Sequence, residues 1–110
     1  MIETIVLDYL EKELSIPVYM EIPNKKPLSF VVVEKTGSSV EDYINFATIA
    51  IQSYAESLYL ACELNEKVKR AMNNIVILDS IGKSKLNTDY NFTDSTKKQY
   101  RYQAVYDLTY

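Results

Sequence analysis

The chain contains no histidine and a single cysteine, Cys62. Without histidine it lacks the usual general base, the commonest metal ligand and the commonest physiological-pH switch. Chemistry would therefore fall to carboxylates, lysines or the one thiol. Cys62 lies on the apolar side of a helical pattern with no histidine to activate it, so it reads as a small core hydrophobe, not a nucleophile. Gly82-Lys83-Ser84 has the ending of a phosphate-binding loop. That loop also needs a glycine five residues before Gly82, where Ile77 stands, and a helix after it, whereas residues 85–91 have no helical period. Asp8, Glu11 and Glu13 do not share one helix face. Glu41 and Asp42 are neighbours beside a loop, and Asp79, Asp89, Asp94 and Asp107 are widely spaced. The first two sets make no paired acid–base or calcium pattern, the last four are too far apart in sequence to form a local one, and solvated carboxylates are the expected reading. Asn91-Phe92-Thr93 matches a glycosylation sequon, which has meaning only in a secreted chain. No catalytic, metal or cofactor residue is expected.

The composition narrows the classes further. Length 110 suits one domain, residues 1–110, with one core. Net charge is −3 and the pI is about 4.9. The lysines are scattered and form no basic stripe, which argues against tight nucleic-acid binding. One cysteine permits no intrachain disulfide and fits an intracellular setting. The first residues are acidic and amphipathic, unlike a signal peptide, and the apolar runs are too short to span a bilayer. Ten tyrosines with no tryptophan suit pleated surfaces and interfaces.

Hydrophobic periodicity supplies the elements. Ile2, Ile5, Val6, Tyr9, Leu10 and Leu14 share one helical face, and Pro17 closes that helix. Residues 18–22 are β-prone, residues 23–27 form a Pro-Asn-Lys-Lys-Pro turn, and residues 28–35 carry Phe30, Val31, Val32 and Val33, a strand buried on both faces. The two strands read as a hairpin. Thr36, Gly37, Ser38 and Ser39 read as a loop, with capping-box spacing from Ser38 to Glu41 that could start a short helix. Residues 43–54 favour a strand by β-branched content, with a helix as the alternative. Residues 55–73 form the strongest helix, with Leu58, Ala61, Cys62, Leu64, Val68, Ala71 and Met72 inward. Glu63 with Lys67, and Glu66 with Arg70, are spaced for helix-surface ion pairs. Residues 75–81 read as a strand or its entry, Gly82 as a turn or bulge, residues 83–91 as a weakly alternating segment, and residues 91–98 as a hairpin loop. The last residues, from Tyr100 to Tyr110, alternate apolar and polar, so they form a strand with one buried face. The order α-β-β-β-α-β-β predicts an α+β fold, an antiparallel or mixed sheet with two helices on one face.

What remains is surface. An exposed terminal strand invites pairing with another chain, and a ring closes such contacts. Loops on a rigid scaffold carry binding. The expected partner contacts are Lys35, Thr36, Gly37, Ser38, Ser39, Glu41 and Asp42 in one loop, and Asp79, Ser80, Lys83 and Lys85 in another.

Two stretches resemble a known family. One is Ile49-Ala50-Ile51-Gln52-Ser53-Tyr54-Ala55-Glu56-Ser57, continued by Ala61-Cys62-Glu63-Leu64-Asn65-Glu66-Lys67-Val68-Lys69. The other is Leu86-Asn87-Thr88-Asp89-Tyr90-Asn91-Phe92-Thr93-Asp94-Ser95-Thr96, with Tyr100-Arg101-Tyr102-Gln103-Ala104-Val105-Tyr106-Asp107. They resemble the small tail terminator, or tail completion, proteins of long-tailed bacteriophages and prophages of Gram-positive bacteria. The resemblance covers the second half of the chain, the first half matching by pattern. It implies a structural protein of the virion, made in the bacterial cytoplasm, with no cofactor, catalytic residue or membrane contact. It implies a homo-oligomeric ring, commonly a hexamer, at the tail–head junction. The ring would meet the tail tube protein and head connector proteins, with DNA passing through unbound. The lumen-facing side chains are then expected to be acidic or neutral, so that phosphate does not stick. Head-completion and other connector proteins of related fold are the nearest alternative. A small ligand-binding module, or an enzyme using carboxylates or Cys62, is the alternative from another class.

Overall fold

Helix α1 (Ile2–Leu14) buries Ile2, Val6, Tyr9 and Leu10, the face set by its 3.6-residue period. It ends at Ser15, which takes a left-handed conformation (φ 55°) and donates its backbone N–H to Glu11 O. In the computed structural model, which describes residues Met1–Tyr110, five strands form a single sheet. They are β1 (Val18–Tyr19), β2 (Phe30–Glu41), β3 (Ile44–Ala55), β4 (Lys83–Asn91) and β5 (Tyr100–Thr109). Their spatial order is β1-β2-β3-β5-β4. All pairings are antiparallel except β1 with β2. Helix α2 (Leu58–Asn73) and α1 pack on the same face, α2 over β3 and β5, α1 beside β1 and β2. The fold is α+β.

One large core lies between helices and sheet. Val31, Val33, Ile49, Ile51, Ala104, Tyr106 and Leu108 point inward from alternate strand positions to meet Val6, Leu10, Val68 and Met72. Tyr9 donates its hydroxyl to Ala71 O (2.7 Å), tying α1 to α2. Tyr106 donates to Lys69 O (3.2 Å) and meets Asn73 Oδ1 (3.0 Å). Burial pushes the Tyr106 phenol up to about 12. Ser57 caps α2, its Oγ accepting from Leu60 N (3.2 Å).

Several sequence expectations hold. Phe30, Val31, Val32 and Val33 are buried on both faces of β2. Residues 44–55 are strand, not helix, and Ala104, Tyr106 and Leu108 form the buried side of β5. Others are corrected. β1 runs parallel to β2, so they form no hairpin. Pro23 and Pro27 lack backbone N–H groups, and the connection is a crossover instead of a tight turn. Thr36, Gly37, Ser38 and Ser39 belong to β2, where a bulge at Thr36 shifts the register between Lys35 and Gly37. Their polarity reflects solvent on both faces of the strand, since residues 34–41 are all exposed. The Ser38–Glu41 spacing caps no helix. Residues 75–77 form a 3₁₀ turn, closed by bonds from Ile77 N to Asn74 O and Leu78 N to Ile75 O. Glu66 pairs with Lys69 at 3.1 Å, one residue earlier than the expected Arg70. The terminal strand is not an edge: β5 lies between β3 and β4. The open edges belong to β4 and to β2 beyond its short pairing with β1.

Candidate functional site

The far ends of β2 and β3 form an arm closed by two residues, Asp42 and Tyr43, between the paired Glu41 and Ile44. Both turn residues have positive φ, 50° and 66°. This is the twist of a two-residue hairpin turn, where Asn-Gly or Asp-Gly is the favoured pair. The first position follows that rule and the second does not. A tyrosine there is sterically disfavoured. It is also 100% exposed, so no packing offsets the strain. Val40 (68% exposed) and Ile44 (45%) lie near it on opposite faces of the arm, with the exposed acids Glu41 and Asp42 between them, so the tip mixes apolar and acidic side chains.

At the base of the arm, on the sheet face away from the helices, lies an open groove of about 490 Å³. Gly37, Ser38, Ser39 and Glu41 supply one wall, Lys83 and Lys85 the other, with Thr48 and Asp107 on the floor. Thr48 Oγ1 donates to Asp107 Oδ1 (2.9 Å), and Asn87 Nδ2 donates to Asp107 Oδ2 (3.0 Å). The Asp107 carboxylate is therefore held by hydrogen bonds on both oxygens.

Six residues predicted from sequence thus meet: Gly37, Ser38, Ser39, Glu41, Lys83 and Lys85. They come together because β2, β3, β5 and β4 are consecutive in the sheet, although the chain separates them widely. The remaining five stand elsewhere. Lys35 points to the helix face and pairs with Glu3 of α1 (3.6 Å). Thr36 occupies the bulge, its hydroxyl donating to Thr48 O (3.4 Å). Asp42 sits in the arm's turn. Asp79 and Ser80 lie in the turn before β4, outside the groove, where Gly82 N donates to Thr109 O (2.7 Å). The two predicted contact loops are therefore mostly strand.

The open face carries further order that the sequence pattern does not single out. Gln52, Gln103 and Tyr90 occupy one row across β3, β5 and β4. Gln52 Nε2 donates to Gln103 Oε1 (2.8 Å), and Gln103 Nε2 donates to the Tyr90 hydroxyl. Gln52 also reaches Glu34 Oε2 (3.4 Å) on β2. Nearer the opposite end, Phe30 stacks on Tyr54 with ring centroids 4.5 Å apart. Arg101 donates to the Tyr54 hydroxyl (3.0 Å) and lies 4.3 Å from the Phe92 ring centroid. The signal for both rows was an alternation of polar with aromatic residues on β5, visible once the register is known.

On the helix face, Lys69 bridges Asp89 (3.0 Å) and Glu66 (3.1 Å), which hold its ammonium above the ordinary lysine value. Asn65 is buried and donates to Asp89 Oδ2 (2.9 Å). Cys62 is half-buried at the margin of α2, not deep in the core as its helical position suggested. No helix is long and apolar enough to cross a membrane. Comparison of the sequence with protein-family models and with curated proteins finds no match.

Proposed function

We propose that this chain is a ring-forming structural protein of a long-tailed bacteriophage or prophage, which caps the tail tube and joins it to the head. The observation that carries this reading is the β2–β3 arm. It ends in a fully exposed aromatic ring at a backbone position better suited to glycine. Strain kept where no intrachain contact offsets it points to a contact made outside the chain. The partners' identities as tail tube and head connector come from the sequence resemblance, and the arm supplies the means of contact.

In the ring, commonly a hexamer for such proteins, the open sheet face lines the channel. Its middle row is neutral at Gln52, Gln103 and Tyr90, and across the rest of the face Glu34, Glu41 and Asp107 offset Lys83, Lys85 and Arg101, so no basic stripe faces the phosphates. DNA passes through without specific binding. The protein then resides in the virion at the tail–head junction.

The test is electron microscopy of this protein mixed with polymerising tail-tube protein from the same genome. The reading expects a ring at one tube end and an arrest of tube growth. Tubes that elongate unchanged, with bare ends, overturn it.

A further inference from the structure

Two strand edges of this molecule are bare. β1 pairs only with Val31 and Val32, and beyond Tyr19 the chain bends away to lie by Leu7 of α1. The outer side of β2 is thus unpaired from Glu34 to Glu41, eight positions. At the other end of the sheet, the outer side of β4 is unpaired along its nine residues, Lys83–Asn91. In the order β2-β3-β5-β4 every neighbour is antiparallel, so β2 and β4 run in opposite directions. A second copy beside the first, in the same orientation, therefore presents β4 antiparallel to β2. Such a contact uses different surfaces on the two copies and propagates head to tail.

We infer that a second copy of this chain lays β4 along the outer edge of β2, with Lys83 opposite Glu41 and Tyr90 opposite Glu34. It rests on the ring reading for its closure into a circle, but the edge contact is a claim about self-association alone. β1 ends where the incoming strand must begin, so it acts as a stop that sets the register.

Three features select this register. First, charges match. Lys83 meets Glu41 on the open face, and Asp89 meets Lys35 on the helix face. The latter pair joins two existing ion pairs, Lys35 with Glu3 and Asp89 with Lys69, into a chain of alternating sign. Such networks contribute more than isolated surface pairs. Second, Tyr90 falls opposite Glu34, which extends the row through Gln52 and Gln103 across the joint. Third, the bulges coincide. β2 is irregular at Thr36 and β4 at Asn87. In this register Thr36 faces Thr88 and Gly37 faces Asn87, so residues on either side keep a common facing direction. A one-residue slip would turn every side chain to the wrong face. A plain lateral continuation of the sheet would instead put Lys83 beside Ser39, two residues away, since both share the row of Phe46 and Thr109. That alignment leaves Glu41 and Lys35 unmatched. Pairing β2 with a second β2 in full overlap of residues 34–41 sets Glu34 against Glu41 at both ends and puts Gly37 of the open face opposite Ser38 of the helix face.

The test uses the full chain with Cys62→Ser and paired cysteines. Ser39→Cys with Lys85→Cys places thiols opposite each other in the inferred register. Mild oxidation should give a covalent ladder beyond the dimer. Ser39→Cys with Lys83→Cys, two residues out, should cross-link at least about fivefold less. Independently, Lys83→Glu or Glu41→Lys alone should raise the concentration needed for association on the order of fivefold, and the two together should restore it. Circular dichroism checks that each exposed-site variant is folded. A ladder that stops at the dimer identifies a symmetric pairing and overturns the inference, as does a double reversal no better than the singles. A chain that stays monomeric at millimolar concentration overturns it too. Rings on tube ends without in-register cross-links sink the edge contact and leave the ring reading intact. In-register cross-links with no binding to tubes support the edge contact and sink the phage assignment.

Discussion

Replacing Tyr43 by glycine should stabilise the protein and disable it at once. At φ 66° a non-glycine residue carries on the order of 1–2 kcal/mol of steric cost. Glycine removes that cost but returns roughly 0.5–1 kcal/mol through the freer unfolded chain. The Tyr43 side chain is 100% exposed, so its removal forfeits no burial. The net expectation is a gain of about 0.5–1 kcal/mol, which for a domain of this size raises the melting temperature by about 2–5 °C. Capping of tail tubes should fall sharply in the same variant, because the aromatic tip is gone. Tyr43→Ala separates the two effects: it keeps the left-handed strain, so its melting temperature should stay near wild type, while its capping is lost. Thermal melts and tube-end counts by electron microscopy read both quantities on the same preparations. A melting temperature that falls in Tyr43→Gly shows that the turn is not strained. Capping that survives in both variants shows that the arm's tip is not the contact, whatever the fold does.

Two further perturbations probe the sheet. Gln103→Ala removes the centre of the row joining Gln52 and Tyr90; Gln52 keeps Glu34 and the exposed Tyr90 hydroxyl meets water, so urea denaturation should show a loss of about 0.5–1.5 kcal/mol. Tyr106→Phe deletes the hydroxyl bonded to Lys69 O and Asn73 Oδ1 and should cost about 1 kcal/mol at neutral pH. Tyr106 also has its phenol raised from 10.0 to about 12 in the folded state, so the unfolded chain releases that proton first. Its contribution is complete below pH 10 and is lost as pH rises toward 12. The phenylalanine variant should show a shallower loss of stability across that window.

Much of the fold could be read from pattern. The helices announce themselves by period, and β5 by alternation, because each has one dry face and one wet face. The parts that resisted reading are those where burial gives no contrast. Residues 36–41 are strand yet exposed on both sides, so polarity disguised them as a loop. β4 is an edge whose alternation is interrupted at Asn87, which weakened its period. Ile75, Val76 and Ile77 look like a buried strand, but only Ile75 is buried and the others face out. The parallel β1–β2 pair had no local signal, since a crossover and a hairpin turn draw on the same Pro and Asn residues. The grouping of Gly37, Ser38, Ser39 and Glu41 with Lys83 and Lys85 depended on strand order, which short-range patterning does not encode.

Bare strand edges are a hazard, and their composition here bears on why the molecule would tolerate two of them. Natural sheets guard edges with charge, bulges and short strands. β4 carries Lys83, Lys85 and Asp89 and a bulge; β2 carries Glu34, Lys35 and Glu41 and a bulge. Such guards oppose most pairings. They discourage β2 from meeting β2 in full overlap, because two carboxylates then face each other at each end. They discourage slipped registers, because the bulges then fall out of step and turn apolar and polar positions to the wrong faces. Against β4 in one register, however, the same charges become attractive and the same irregularities coincide. On the inferred edge contact, the features that protect the monomer from indiscriminate aggregation are the ones that specify its neighbour. A sheet edge with neutral, regular strands would pair more strongly and far less selectively.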